Sequence, residues 1–129
     1  MPHIIIDYSV NLEDAVDIAD LCDRLRHCAC GLDIFPAAGV RVRAVAATHY
    51  SIADGNPAHG YIDISVRLRA GRPMAAKRAA TQALFDLAHD VLAPVMAKRS
   101  IALSFEMRDI DADLSPKTGS TRDHLEDTP

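Results

Sequence analysis

Tryptophan is absent from this chain of 129 residues, and phenylalanine and tyrosine supply only three residues each. Few flat side chains are therefore on hand for bases to stack on. With 14 Lys and Arg against 18 Asp and Glu, a net charge of -4, the chain also lacks the basic field that holds a phosphate backbone. These absences exclude nucleic acid as the expected partner. Apolar runs are far shorter than the ~20 residues a membrane helix requires, and no charged leader with a cleavage site opens the sequence, so a soluble cytoplasmic protein with no membrane partner is expected. Cysteine is scarce and odd in number: Cys22, Cys28 and Cys30, with His27 beside them. No CxxC pair occurs, and Cys22 and Cys28 do not share a helical face, so small buried hydrophobes are expected rather than a disulfide framework or a metal site.

What is present is patterned. The length fits one domain with a real core. Residues 3 to 8, "HIIIDY", read as a buried strand, after which Asn11 and Asp14 form a weak capping box that predicts a helix start. Ala15, Val16, Ala19, Cys22 and Leu25 keep the rhythm of one helical face, with Gly31 as the stop signal. "VRVRAV" over 40 to 45 alternates as a second strand, and "YIDISVRLR" alternates more cleanly as a third. A second helix is predicted from Pro73 as its first residue, with a face running from Ala80 through Leu84, Ala88 and Leu92 to Val95, and with Pro94 kinking or ending it. "IALSFEM" gives the fourth strand.

The order strand, helix, strand occurs twice. An α/β fold is expected: tandem β-α-β units, about 2–46 and 61–108, forming a four-stranded sheet with two helices on one face. The other face would be uncovered in a monomer, and apolar residues on more than one side of the central strands make an oligomer the expected remedy. Residues 1–110 form the single domain on this reading. From 111 to 129 the sequence turns polar and aperiodic, the signature of an arm or tail.

Three features suggest chemistry. Pro2 stands directly before the first strand, so loss of Met1 would leave a secondary amine on a rigid element. Burial and nearby cations would lower its pKa toward neutrality, where a general base works best. While Met1 remains, that nitrogen is a tertiary amide and no base. Arg72, in "RAGRPM", sits at the positive end of a helix dipole, where a cation is unfavourable by about 0.3–1 kcal/mol unless an anion joins it. Arg41 and Arg43 repeat the question, because they share one strand face and repel unless solvated or bridged.

Taken together, "MPHIIIDYS", "IFPAAGVRVR", "ADG", "LRAGR" and "ALSFEM" resemble the 5-carboxymethyl-2-hydroxymuconate isomerases of the tautomerase superfamily, over about residues 2 to 110. The resemblance implies a homotrimer, no cofactor, and a place in aromatic compound catabolism, in homoprotocatechuate degradation. It implies Pro2 as the catalytic base, Arg41 and Arg72 as ligands of a small carboxylate substrate, Arg43 as a further ligand and Tyr50 as part of the pocket wall. In shorter relatives the proline, a helix-start arginine and a strand arginine share one unit. Here the first unit has Pro2 and Arg41 but Leu12 at the helix start, and the second has Arg72 but Ile62 and Ala102 at the other two places, which implies one complete site. Two other functions stay open beside the isomerase: a hydratase or dehalogenase using the same proline with His49, Tyr50 and His59 near the pocket, and a non-catalytic binding protein of the same fold.

Overall fold

Residues 2–126 are described by the computed structural model. Six elements build it: β1 (His3–Ser9), α1 (Ile18–Cys30), β2 (Arg41–Ala47), β3 (Gly60–Arg69), α2 (Met74–Met96) and β4 (Ile101–Ile110). The sheet order is β2-β1-β3-β4. Each helix links a parallel pair, β1 with β2 and β3 with β4, and the two units meet where β1 and β3 run antiparallel, Ile6 opposite Ile64.

Alternation decides which side of the sheet each residue serves. Ile4, Ile6 and Tyr8 of β1 and Ile62, Ile64, Val66 and Leu68 of β3 are buried on one face. Both helices cover that face, α1 through Leu21, Leu25 and Ala29 and α2 through Ala80, Leu84, Ala88 and Leu92, joining one core cluster. The four α2 residues recur every fourth position, which keeps a narrow stripe of the helix against the sheet.

The start of α1 differs from the sequence expectation. The helix begins at Ile18, after a 3-10 turn at Val10–Leu12, and Asp17 caps it by accepting the Asp20 N–H at 3.0 Å. Asn11 is engaged elsewhere: its amide nitrogen donates to the carbonyls of His59 at 2.9 Å and Pro57 at 3.4 Å. A cap that ties down a distant loop cannot also satisfy the next turn. Ala15 and Ala19 consequently lie exposed, and Leu21 rather than Cys22 is fully buried. Pro73 is the cap of α2 rather than its first residue, and the helix ends at Met96, within a turn of Pro94. The bend before α2 needs Gly71, whose φ of 113° is one that side chains avoid.

The uncovered face is polar, contrary to the expected apolar surface. From β2 to β4 its rows are Arg41, His3, Arg67 and Arg108, then Arg43, Ile5, Ser65 and Glu106, then Val45, Asp7, Asp63 and Ser104. Positive charge therefore collects at the end of the sheet where β1 begins. Carboxylates occupy the middle, held by neighbours: the Tyr61 hydroxyl donates to Asp7 at 2.7 Å and the Ser104 hydroxyl donates to Asp63 at 2.6 Å.

After β4 the chain folds back on itself. Asp111 accepts the N–H groups of Asp113 at 2.8 Å and Leu114 at 3.1 Å, the Ser115 hydroxyl donates to the Asp111 carbonyl, and Arg69 donates to the Ala112 carbonyl at 3.4 Å. A short 3-10 turn follows at Thr121–His124. No helix among the described residues is long and apolar enough to cross a membrane.

Candidate active site

Pro2 is fully buried, and its carbonyl accepts the Arg41 N–H at 3.3 Å. That bond places it at the first rung between β1 and β2. Processing of Met1, on which a basic Pro2 nitrogen depends, lies outside the described residues. Next along β1, His3 pairs with Arg41 on one side and Arg67 on the other. Its Nδ1 stands 3.3 Å from an Arg43 nitrogen. A guanidinium only donates, so Nδ1 accepts and the ring proton resides on Nε2. Burial first, then Arg67, Arg41 and Arg43, hold the His3 pKa below its ordinary 6.5. His3 is a site residue that sequence reasoning passed over. The signal was its place in the alternation, one strand face with Arg41.

Arg41 and Arg43 project from the same face of β2, which leaves the pairing partner to separate them. Arg43 is committed to His3. The Arg41 side chain is exposed, among the described residues bonded only to the nearby Gly39 carbonyl at 3.4 Å, and it lines a cavity of about 350 Å³ together with Pro36, Gly39, Lys117, Thr121 and Arg122. A smaller cavity of about 140 Å³ adjoins it through Lys117 and is lined by His3, Arg67, Arg69, Ile110, Ser115 and Pro116. Among the described residues neither lining contains a carboxylate.

Arg72 follows β3 off the same end of the sheet, because β3 runs antiparallel to β1 and finishes beside the start of β1. Its guanidinium donates to the Arg69 carbonyl at 3.1 Å. It lines neither cavity, so Arg72 shares the sheet end with Pro2 without meeting Arg41 in one pocket. Tyr50 lies elsewhere. It follows the far end of β2, about 20 Å from Arg41 at the usual rise per strand residue, and lines a cavity of about 340 Å³ with His49, Asn56 and His59. There His59 is pinned between Ser100 Oγ at 2.7 Å and Asp54 Oδ1 at 2.8 Å, which ties the 51–60 loop to the start of β4. Within one chain the His49, Tyr50 and His59 group therefore stands apart from Pro2.

Pairing register also changes one repeat correspondence. His3 sits beside Arg41 as Tyr61 sits beside Ala102, so the residue of the second unit that goes with Ala102 in the place of Pro2 is Gly60. Ile62 is a core residue with no exposure. Gly60 has an amide to His59 behind it and no amine to offer. The three thiols are half-buried and free, with burial pushing those of Cys22 and Cys28 up.

A sheet of paired β-α-β units with a cationic end beside a proline at position 2 defines a tautomerase-type protein. The family model described as 5-carboxymethyl-2-hydroxymuconate isomerase matches residues 2–125, and the chain belongs to that family. The match runs through the folded-back segment as well as the sheet. A 5-carboxymethyl-2-hydroxymuconate Delta-isomerase of Escherichia coli is 30% identical over 117 residues, 91% of this chain and 93% of the relative. Among solved structures, one of a 5-carboxymethyl-2-hydroxymuconate delta-isomerase matches with a TM-score of 0.90 at 28% identity, covering 100% of this chain and 95% of the other. A 5-carboxymethyl-2-hydroxymuconate isomerase from Deinococcus radiodurans R1 matches with a TM-score of 0.87 at 27% identity, covering 97% and 95%.

Proposed function

We propose that the chain isomerises 5-carboxymethyl-2-hydroxymuconate, an acidic dienol, to its 2-oxo-3-ene form, with the amine of Pro2 carrying the proton. Loss of residue 1 leaves that nitrogen as a secondary amine, seated where β1 begins. It takes the hydroxyl proton of the dienol, the electron pair moves along the diene, and the same proton returns to a carbon, so nothing is consumed. Arg41 orients a carboxylate and stabilises the dienolate as charge develops, and Arg72 and Arg43 serve the same end of the sheet.

The observation that carries this reading is the placement of a buried Pro2 on the first rung of the sheet, at the end where Arg41 and Arg67 flank His3. Burial and the arginines around it disfavour a proton on the residue next to Pro2, and the same field would keep an adjacent amine unprotonated near neutral pH. Ultraviolet absorbance of the dienol is the test: processed protein is expected to convert it, and protein whose amino-terminal nitrogen has been acylated is expected to lose conversion. Equal turnover after acylation rejects the proposal.

A homotrimer is proposed as the working form. The exposed polar sheet face is an area that copies would share, and Tyr50, remote from Pro2 in its own chain, would reach the Pro2 site only from a neighbour. The mass in solution should be three times the 14.0 kDa of the chain.

A further inference from the structure

Five cations converge where the folded-back segment crosses the end of the sheet. Arg41, Lys117 and Arg122 line the larger cavity, and Arg67, Arg69 and the shared Lys117 line the smaller one with His3. These are five of 14 Lys and Arg in a chain of net charge -4. Among the described residues none of the five forms an ion pair, although Arg24, Arg26, Lys77, Arg99 and Arg108 all do. Unpaired guanidinium and ammonium groups repel when gathered, and an anion between them relieves that repulsion through charge-assisted hydrogen bonds. Two of the five, Lys117 and Arg122, come from the polar segment after β4. The larger cavity, at about 350 Å³, is of a size that admits a small organic anion.

We infer that residues 111–126 are a specificity arm, and that Lys117 and Arg122 bind a carboxylate of the substrate remote from the carbon that receives the proton. This rests on the isomerase reading and adds the determinant that chooses among dienols. Pro2 lines neither cavity itself, but its sequence neighbour His3 lines the smaller one and its backbone partner Arg41 lines the larger. A tricarboxylate such as 5-carboxymethyl-2-hydroxymuconate would set one carboxylate near Arg41 and Pro2 and send another under the arm. A dicarboxylate dienol has no group left for the arm, so it loses that contact. The arm selects three carboxylates over two.

Calorimetric titration of full-length processed protein tests this with two unreactive probes, propane-1,2,3-tricarboxylate and glutarate, alongside dienol turnover. The Lys117→Ala/Arg122→Ala double variant is expected to bind the tricarboxylate about tenfold or more weakly, as loss of charge-assisted contacts requires, and glutarate within about twofold of the parent. Arg78→Ala/Lys98→Ala removes the same charge from exposed positions outside the cavities and should change neither probe by more than about twofold. Unchanged tricarboxylate binding in the arm variant overturns the inference, as does an equal loss in the charge-matched control or no binding by the parent. Arm-dependent binding in a protein that leaves the dienol untouched upholds the anion site and rejects the isomerase reading alone. Turnover of the dienol without arm-dependent binding does the reverse.

Discussion

The carbonyl of Pro2 accepts the backbone N–H of Arg41 at 3.3 Å, so the proposed base and this arginine are joined by main chain rather than by side chain. The position of one relative to the other is thereby independent of the guanidinium. Arg41→Ala should leave stability within about 0.5 kcal/mol, because its side chain is exposed and donates to the nearby Gly39 carbonyl. Turnover of the dienol should fall about tenfold or more, mainly through KM if Arg41 holds the ground-state carboxylate and through kcat if it acts on the dienolate. Steady-state kinetics with a thermal melt checks both. A collapsed melt would contradict the backbone account.

His3 is expected to titrate below 6.5 when followed by proton NMR of the imidazole carbon-bound protons. The unfolded chain binds a proton there more readily than the folded one, so stability should fall as pH drops below 6.5 toward the folded value. Arg67→Ala removes the second-largest cause of the depression, after burial, and should move the His3 titration upward.

Tyr61 is pushed up to about 12 by burial, by its hydrogen bond to Asp7 and by the charges of Asp7 and Asp63. Its raised value means the folded state holds the phenol proton more tightly than the unfolded chain. That contribution is complete below 10, the ordinary phenol value, and is lost as pH climbs through about 12. Absorbance at the phenolate band should show this late ionisation, and Tyr61→Phe should abolish it.

Gly60 has no room for a side chain. A Cβ there would lie 2.6 Å from Leu12 Cδ2 and 3.1 Å from Ser9 Oγ, and both Leu12 and Ser9 are fully buried. Gly60→Ala should therefore cost about 1–3 kcal/mol, as overpacking of a filled interior does, read as a lower denaturant midpoint. The paired variant Gly60→Ala/Leu12→Ala should recover less than the whole loss, because removing a buried leucine carries its own penalty.

Asp17→Ala should cost about 0.5–2 kcal/mol by leaving the Asp20 N–H unsatisfied. Asn11→Ala should instead loosen the 51–60 loop, seen as faster amide exchange at His59 and Gly60. A larger loss of α1 helicity from Asn11→Ala than from Asp17→Ala would contradict the placement of the cap.

Much of the fold was already legible residue by residue. Ile62, Ile64, Val66 and Leu68 announce a half-buried strand because side chains on a strand alternate, and Ala80, Leu84, Ala88 and Leu92 announce one side of a helix because four residues make about a turn. Both signals are local, and Pro73 and Gly71 mark the approach to α2 by equally local backbone limits. Pro2, Arg41 and Arg72 stood out for the same reason, as groups whose chemistry is unusual for the places they occupy. Tertiary structure decided what depends on distant partners. Asn11 gave up α1 to reach His59 and Pro57, and His3 acquired its character only when β3 laid Arg67 against it. The polar segment after β4 became a wall of two cavities only by folding back across the sheet end. A periodic pattern fixes which way a side chain points, but the charge it meets there is set by strands and loops that the chain brings back from far along its length.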